Sequence, residues 1–116
     1  MTIKNVLASV AVKDLETSVK WYERLFHRPA DSRPMDEVAE WKFPAGGWLQ
    51  VCAGPERAGG CSCTLIVSDI EEEGEKLKSL GVEGRRLDSD QGIKTIMIKD
   101  PDGNSIAFAQ GPTPAT

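Results

Sequence analysis

Histidine is nearly missing from this sequence: His27 is the only one in 116 residues. Zinc sites usually combine several imidazoles and thiolates, and Cys61-x-Cys63 has no second ligand pair to complete one. The cysteine count is low and odd, at three (Cys52, Cys61 and Cys63), which points to reduced, packed thiols. No apolar run approaches the roughly 18–20 residues that span a bilayer, so no membrane partner is expected. No basic stripe is present either. Fourteen Lys and Arg stand against 18 Asp and Glu, for a net charge of −4, which argues against a nucleic-acid partner. The opening MTIKNVLASVAVKD reads as a strand and not as a cleavable leader, so the cytoplasm is the expected location.

What is present is ordinary globular composition, 40% hydrophobic and 28% charged. The length suits one domain able to bury roughly two-thirds of its unfolded surface without staples. Two stretches resemble each other, Val6 to His27 and Cys61 to Gly81. Each reads as an alternating strand, then Val-x-Asp, then a helix, and Val12 and Asp14 match Val67 and Asp69 at a spacing of 55. The domain therefore reads as two copies of one unit, module one over about 1–55 and module two over about 60–111.

Local signals define both helices. Asp14 is a candidate N-cap whose carboxylate faces free backbone amides, and Leu15, Val19, Tyr22 and Phe26 make one apolar face before Pro29 stops the helix. Asp69 caps the second helix with Glu72 at the capping-box position, and Ile70, Gly74, Leu77 and Leu80 form its face before Gly81. Glu71, Glu72 and Glu73 lie early and Lys76 and Lys78 late, which suits the helix dipole better than a metal site. His27 follows the first helix, where histidine tolerates a left-handed backbone, so a surface helix-end role outweighs a catalytic one. Strands flank Pro44-Ala45-Gly46-Gly47 and Asp100-Pro101-Asp102-Gly103, both hairpin turns. AGPERAGG, Ala53 to Gly60, reads as a flexible join, and the closing GPTPAT as a loose tail.

Val12-Lys13-Asp14-Leu15 with Trp21-Tyr22, Val67-Ser68-Asp69-Ile70 and Asp100-Pro101-Asp102-Gly103-Asn104 resemble the vicinal oxygen chelate superfamily, which includes glyoxalase I, bleomycin-resistance proteins and extradiol dioxygenases. The resemblance covers nearly the whole chain. It implies an α+β fold: tandem βαβββ modules forming curved mixed sheets around a cup, with helices on the outside, and often a homodimer. In metal-dependent relatives four side chains of the first and last strands of each module enter the cup as His, Glu or Gln. The matching positions here read Leu7, Gln50, Ser62 and Ala107, and a shift of one residue gives Ala8, Leu49, Cys63 and Ile106. One amide and one hydroxyl make a poor cation cage, so no metal and no cofactor is expected.

Strand alternation then nominates the lining. Positions in phase with Leu7, Gln50, Ser62 and Ala107 add Ser9, Ala11, Trp48, Cys52, Thr64, Ile66, Ser105 and Ala109. Val10, Val12, Leu49, Val51, Leu65, Val67, Ile106 and Phe108 fall on the helix side. Trp41 and Phe43 share one face of their strand and Glu40 and Lys42 the other; the aromatic pair is assigned to the cup, with Met97 and Thr95 as further candidates. The candidate ligand-binding set is thus Ser9, Trp41, Phe43, Trp48, Gln50, Cys52, Ser62, Thr64, Met97 and Ala107. Aromatic groups with a few polar ones suit flat or amphipathic molecules. Trp41 and Trp48 packed in a dimer interface or a collapsed core is the competing reading. Trp21 is read as core. The preferred function is metal-free binding of a small hydrophobic or aromatic ligand in the cup of a homodimer. A glyoxalase-like lyase or dioxygenase with a non-standard metal site, or a regulatory module acting through its surface, stays open.

Overall fold

The computed structural model describes residues 2–111, so all of the expected loose tail except Gly111 lies outside the described residues. The chain runs β1 (Leu7–Val12), α1 (Leu15–Phe26), β2 (Ser32–Met35), β3 (Val38–Lys42), β4 (Trp48–Ala53), β5 (Ser62–Ile66), α2 (Ile70–Ser79), β6 (Arg85–Asp88), β7 (Lys94–Lys99) and β8 (Ser105–Gln110). This is βαβββ twice, with sheet orders β1-β4-β3-β2 and β5-β8-β7-β6. In each sheet the first and last strands pair in parallel and the remaining pairs are antiparallel. The α+β expectation of tandem modules with helices on one side of mixed sheets is met.

Both helices start where their caps place them. Asp69 accepts from the backbone amides of Glu71 and Glu72 at 3.0 and 3.2 Å. Asp14 differs from expectation: its carboxylate accepts from the Thr17 hydroxyl at 2.8 Å and from no backbone amide. α1 ends on His27, which takes φ 59° and ψ 29° and donates its backbone N–H to Glu23. An exposed helix end is thus where His27 sits.

The inner faces are apolar because alternate residues along each strand meet the helices. Val10, Val12, Leu49, Val51, Ala39 and Trp41 of the first sheet are buried with Leu15, Val19, Tyr22 and Leu25 of α1. Ile96, Ile98, Ile106 and Phe108 of the second sheet join the same core with Ile70 and Leu77 of α2. Gly74 in α2 leaves room for Ile96, whose methyl would lie 3.4 Å from an added Cβ.

The two sheets are tied where β1 meets β5. Asn104, fully buried, donates from Nδ2 to the Ala11 carbonyl and to Asp100 Oδ2, both at 2.8 Å. Its Oδ1 accepts from the amides of Gly59 and Cys61, both at 2.9 Å. Asp100 completes the network, accepting from the Tyr22 hydroxyl at 2.9 Å and from the amides of Asp102 and Asn104. The Ala53–Gly60 join is therefore a pinned run of turns, where the sequence suggested a flexible one. Gly59 is required there: at φ +91° an added Cβ would stand 2.6 Å from the Asp102 carbonyl oxygen.

Asn104→Ala strips partners from two part-buried amides, one buried carbonyl and the Asp100 carboxylate. It should lower the unfolding free energy by about 3 kcal/mol in urea titrations. A loss below about 1 kcal/mol would show that the sheets are held together elsewhere.

Candidate functional site

With one face of each sheet committed to the helices, the other is left for function. On the first sheet the register stacks side chains into rows across the strands. Leu7 pairs with Trp48 and Trp48 with Lys42. Ser9 pairs with Gln50, Gln50 with Glu40, and Glu40 with Ser32. Ala11 pairs with Cys52 and Cys52 with Val38.

The middle row is hydrogen-bonded from end to end. Ser9 Oγ donates to Gln50 Oε1 at 2.9 Å, Gln50 Nε2 donates to Glu40 Oε2 at 2.7 Å, and Ser32 Oγ donates to Glu40 Oε1 at 2.8 Å. Ser9 thereby sets the amide orientation that aims an N–H at Glu40. Donation from Gln50 and then from Ser32 holds the Glu40 carboxyl below its usual range, against the effect of burial. Beside this row the Lys42 Nζ stands 4.3 Å from the Trp48 ring centroid, a cation–π contact.

The second sheet presents a plainer face. Ser62 pairs with Ser105 and Ser105 with Lys99, whose Nζ donates to Ser105 Oγ at 2.6 Å. Thr64, Ala107, Met97 and Arg85 form the next row, and Ile66, Ala109, Thr95 and Leu87 the one after.

Eight of the ten candidates thus lie on the faces turned away from the helices: Ser9, Trp48, Gln50 and Cys52 on one sheet, and Ser62, Thr64, Met97 and Ala107 on the other. Trp41 and Phe43 do not. Trp41 pairs with Leu49, is fully buried, and donates its indole N–H to the Arg28 carbonyl at 3.1 Å. Its ring packs against Tyr22 and Phe26, and Phe43 packs edge-on to Phe26. Two large rings find more apolar partners under a helix than on a polar row, and that decides the register of β3. Trp21 is half-buried, with its ring edge-on to Tyr22.

Placing Trp41 inward turns Glu40 and Lys42 outward, so the face gains a carboxylate and an ammonium that the sequence reading assigned to the other side. The capacity of the face for a cation follows from its donors. Leu7 and Ala107 carry none, Ser62 is a neutral hydroxyl, and Glu40 brings the row's single carboxylate. Among the described residues no three His, Cys, Asp or Glu side chains gather into a cation-holding group. The thiols are not primed for nucleophilic work either. Burial raises the Cys63 thiol to about 11, and burial also raises that of Cys52. A crevice between the helices, lined by Trp21, Arg24, Leu25, Leu80 and Val82, has room of about 10 Å³, at most one water.

No family model matches the chain, and no curated protein does. Solved structures do. The chain is 32% identical to a glyoxalase / bleomycin resistance protein from Catenulispora acidiphila, over 93% of this chain and 98% of that one, with a TM-score of 0.84. It is 24% identical to an antibiotic-binding protein from a Streptomyces species, over 96% and 98% of the two chains, with a TM-score of 0.81. It is 20% identical to a bleomycin resistance determinant encoded on the transposon Tn5, over 96% and 100%, with a TM-score of 0.79. The last two share the fold.

The depressed Glu40 carboxyl carries a pH signature. Because its folded value is lowered from 4.5, its ionised hydrogen bonds add stability above that pH and lose it as pH falls through the lower folded value. Glu40→Gln should therefore cost more stability at pH 7 than under acid conditions, read as urea midpoints. An equal cost at both would contradict an ionised Glu40.

Proposed function

The chain belongs to the glyoxalase / bleomycin resistance family of the vicinal oxygen chelate superfamily, and from that membership we propose that it binds a small aromatic or amphipathic molecule without a metal ion. The observation that carries this reading is the free face of the first sheet. There a half-buried indole, Trp48, adjoins a row of oriented polar groups, Ser9, Gln50 and Glu40. Trp48 offers a flat surface for a ring. Gln50 spends one amide hydrogen on Glu40 and keeps another to donate, and Ser9 keeps hydroxyl lone pairs. Flat contact with a few fixed polar groups is how small-molecule sites gain both affinity and orientation.

The positions that chelating relatives would use carry Leu7, Gln50, Ser62 and Ala107, which supports binding over Lewis-acid chemistry. The antibiotic-binding and bleomycin-resistance proteins of the same fold support the same class of function. We further propose that two copies close the site. Leu7, Leu87 and Ile66 lie on the free faces and remain 40%, 43% and 71% exposed, apolar surface that a second copy would cover.

The test is a panel of neutral two-ring aromatics followed by amide and indole NMR. Shifts should concentrate at the Trp48 indole N–H and the Gln50 side-chain amide. Trp48→Ala should weaken binding by about tenfold while the fold persists, since the ring is only half-buried. Shifts absent for every compound, or gathered on the helix side, would overturn the reading.

A further inference from the structure

Glu40 is a covered carboxylate on the free face of the first sheet. It keeps only 6% of its accessible surface, and among the described residues no Lys or Arg forms a salt bridge with it. Lys42, two residues on and on the same face, stands over Trp48 instead. The hydrogen bonds to the carboxylate come from neutral groups, Gln50 Nε2 at 2.7 Å and Ser32 Oγ at 2.8 Å, while Lys42 acts on it only through space. A carboxylate accepts about four hydrogen bonds, so about half its capacity is unused. The strand is already held by backbone pairing to β2 and β4, and the Asp31 amide donates to the Glu40 carbonyl at 2.7 Å. The two hydrogen bonds favour the ionised carboxylate, and a cation arriving from outside would add the salt-bridge partner it lacks.

The neighbouring row describes the rest of the arriving molecule. Trp48 lies diagonally across β3 and β4 from Glu40, and side chains so placed are roughly 7–8 Å apart. A ring system with an ammonium one carbon away spans that gap. Lys42 already shows that the indole accepts a cation over its face, and its exposed side chain is free to leave when a ring arrives. We propose that Glu40 is the specificity-determining residue of this face and that the ligand is an aromatic molecule bearing a protonated amine. The inference rests on the binding reading above and adds the ligand's charge to it.

Calorimetry on the full chain at pH 7 with three probes tests it: 1-naphthylmethylammonium, 1-naphthylmethanol and 1-naphthoate. The ammonium should bind about tenfold tighter than the alcohol, and the carboxylate weakest. Glu40→Gln should bring the ammonium and alcohol affinities together. The wild-type series decides the matter alone if that variant does not fold. An alcohol that binds as well as the ammonium, or a preference that survives Glu40→Gln, overturns the proposal and leaves the binding reading standing. No heat with any probe overturns both. If the probes show no preference and Glu40→Gln instead weakens self-association in sedimentation, the carboxylate serves a second copy's cations and the proposal falls.

Discussion

Asn104 places one primary amide where the two sheets meet, and both of its ends are spent on backbone. The nitrogen holds β1 through Ala11, and the oxygen holds the join through Gly59 and Cys61. Asp100 then anchors that amide and carries the link to α1 through the Tyr22 hydroxyl, which burial and the adjacent carboxylate keep protonated. A network of this kind is valuable only if complete, because each orphaned member would bear its full desolvation cost. It is complete: among the described residues no buried side-chain nitrogen or oxygen lacks a partner. The Asp-Pro-Asp-Gly-Asn turn is thus the fastening between two similar halves, and its residues do not belong to the site.

That fastening frees the other face for chemistry. With both helices and all the large inner residues on one side, the remaining side of the first sheet needs no apolar continuity. It can carry a serine, an amide, a carboxylate and an indole in adjacent rows. The polar row is ordered before any ligand arrives, so binding there requires little further loss of side-chain freedom. Charge enters the Gln50 and Trp48 rows through Glu40 and Lys42, and the Lys42 ammonium is engaged with an aromatic ring. The face is suited to hold a molecule and poorly suited to polarise one.

Much of this was legible in the residues. The internal repeat, the cap at Asp69, the helix end at His27 and the inward run Val10, Val12, Leu49, Val51, Ile106 and Phe108 follow from local rules of spacing and backbone preference. β3 was misread because Glu40-Trp41-Lys42-Phe43 alternates equally well in either register, and a strand alone does not say which side a helix will cover. The partners that settle it are distant in sequence: the Arg28 carbonyl for the Trp41 indole, and Gln50 and Ser32 for the Glu40 carboxylate. The signal available was the rule that large rings seek the covered side. Strands β2 and β6 carry little periodic signal, being four-residue edge strands rich in charge and proline. The order of the Ala53–Gly60 join was also hidden, since the amide that pins it lies some 45 residues away in the chain.

We propose that this member of a chelating superfamily works with oriented dipoles, one carboxylate and one indole, and not with a bound metal ion. Elemental analysis of protein purified without chelators, after dialysis against trace divalent metals, tests that most directly. The expected result is no divalent ion near stoichiometric amounts. One ion per chain, lost on mutation of Gln50 or Glu40, would contradict it.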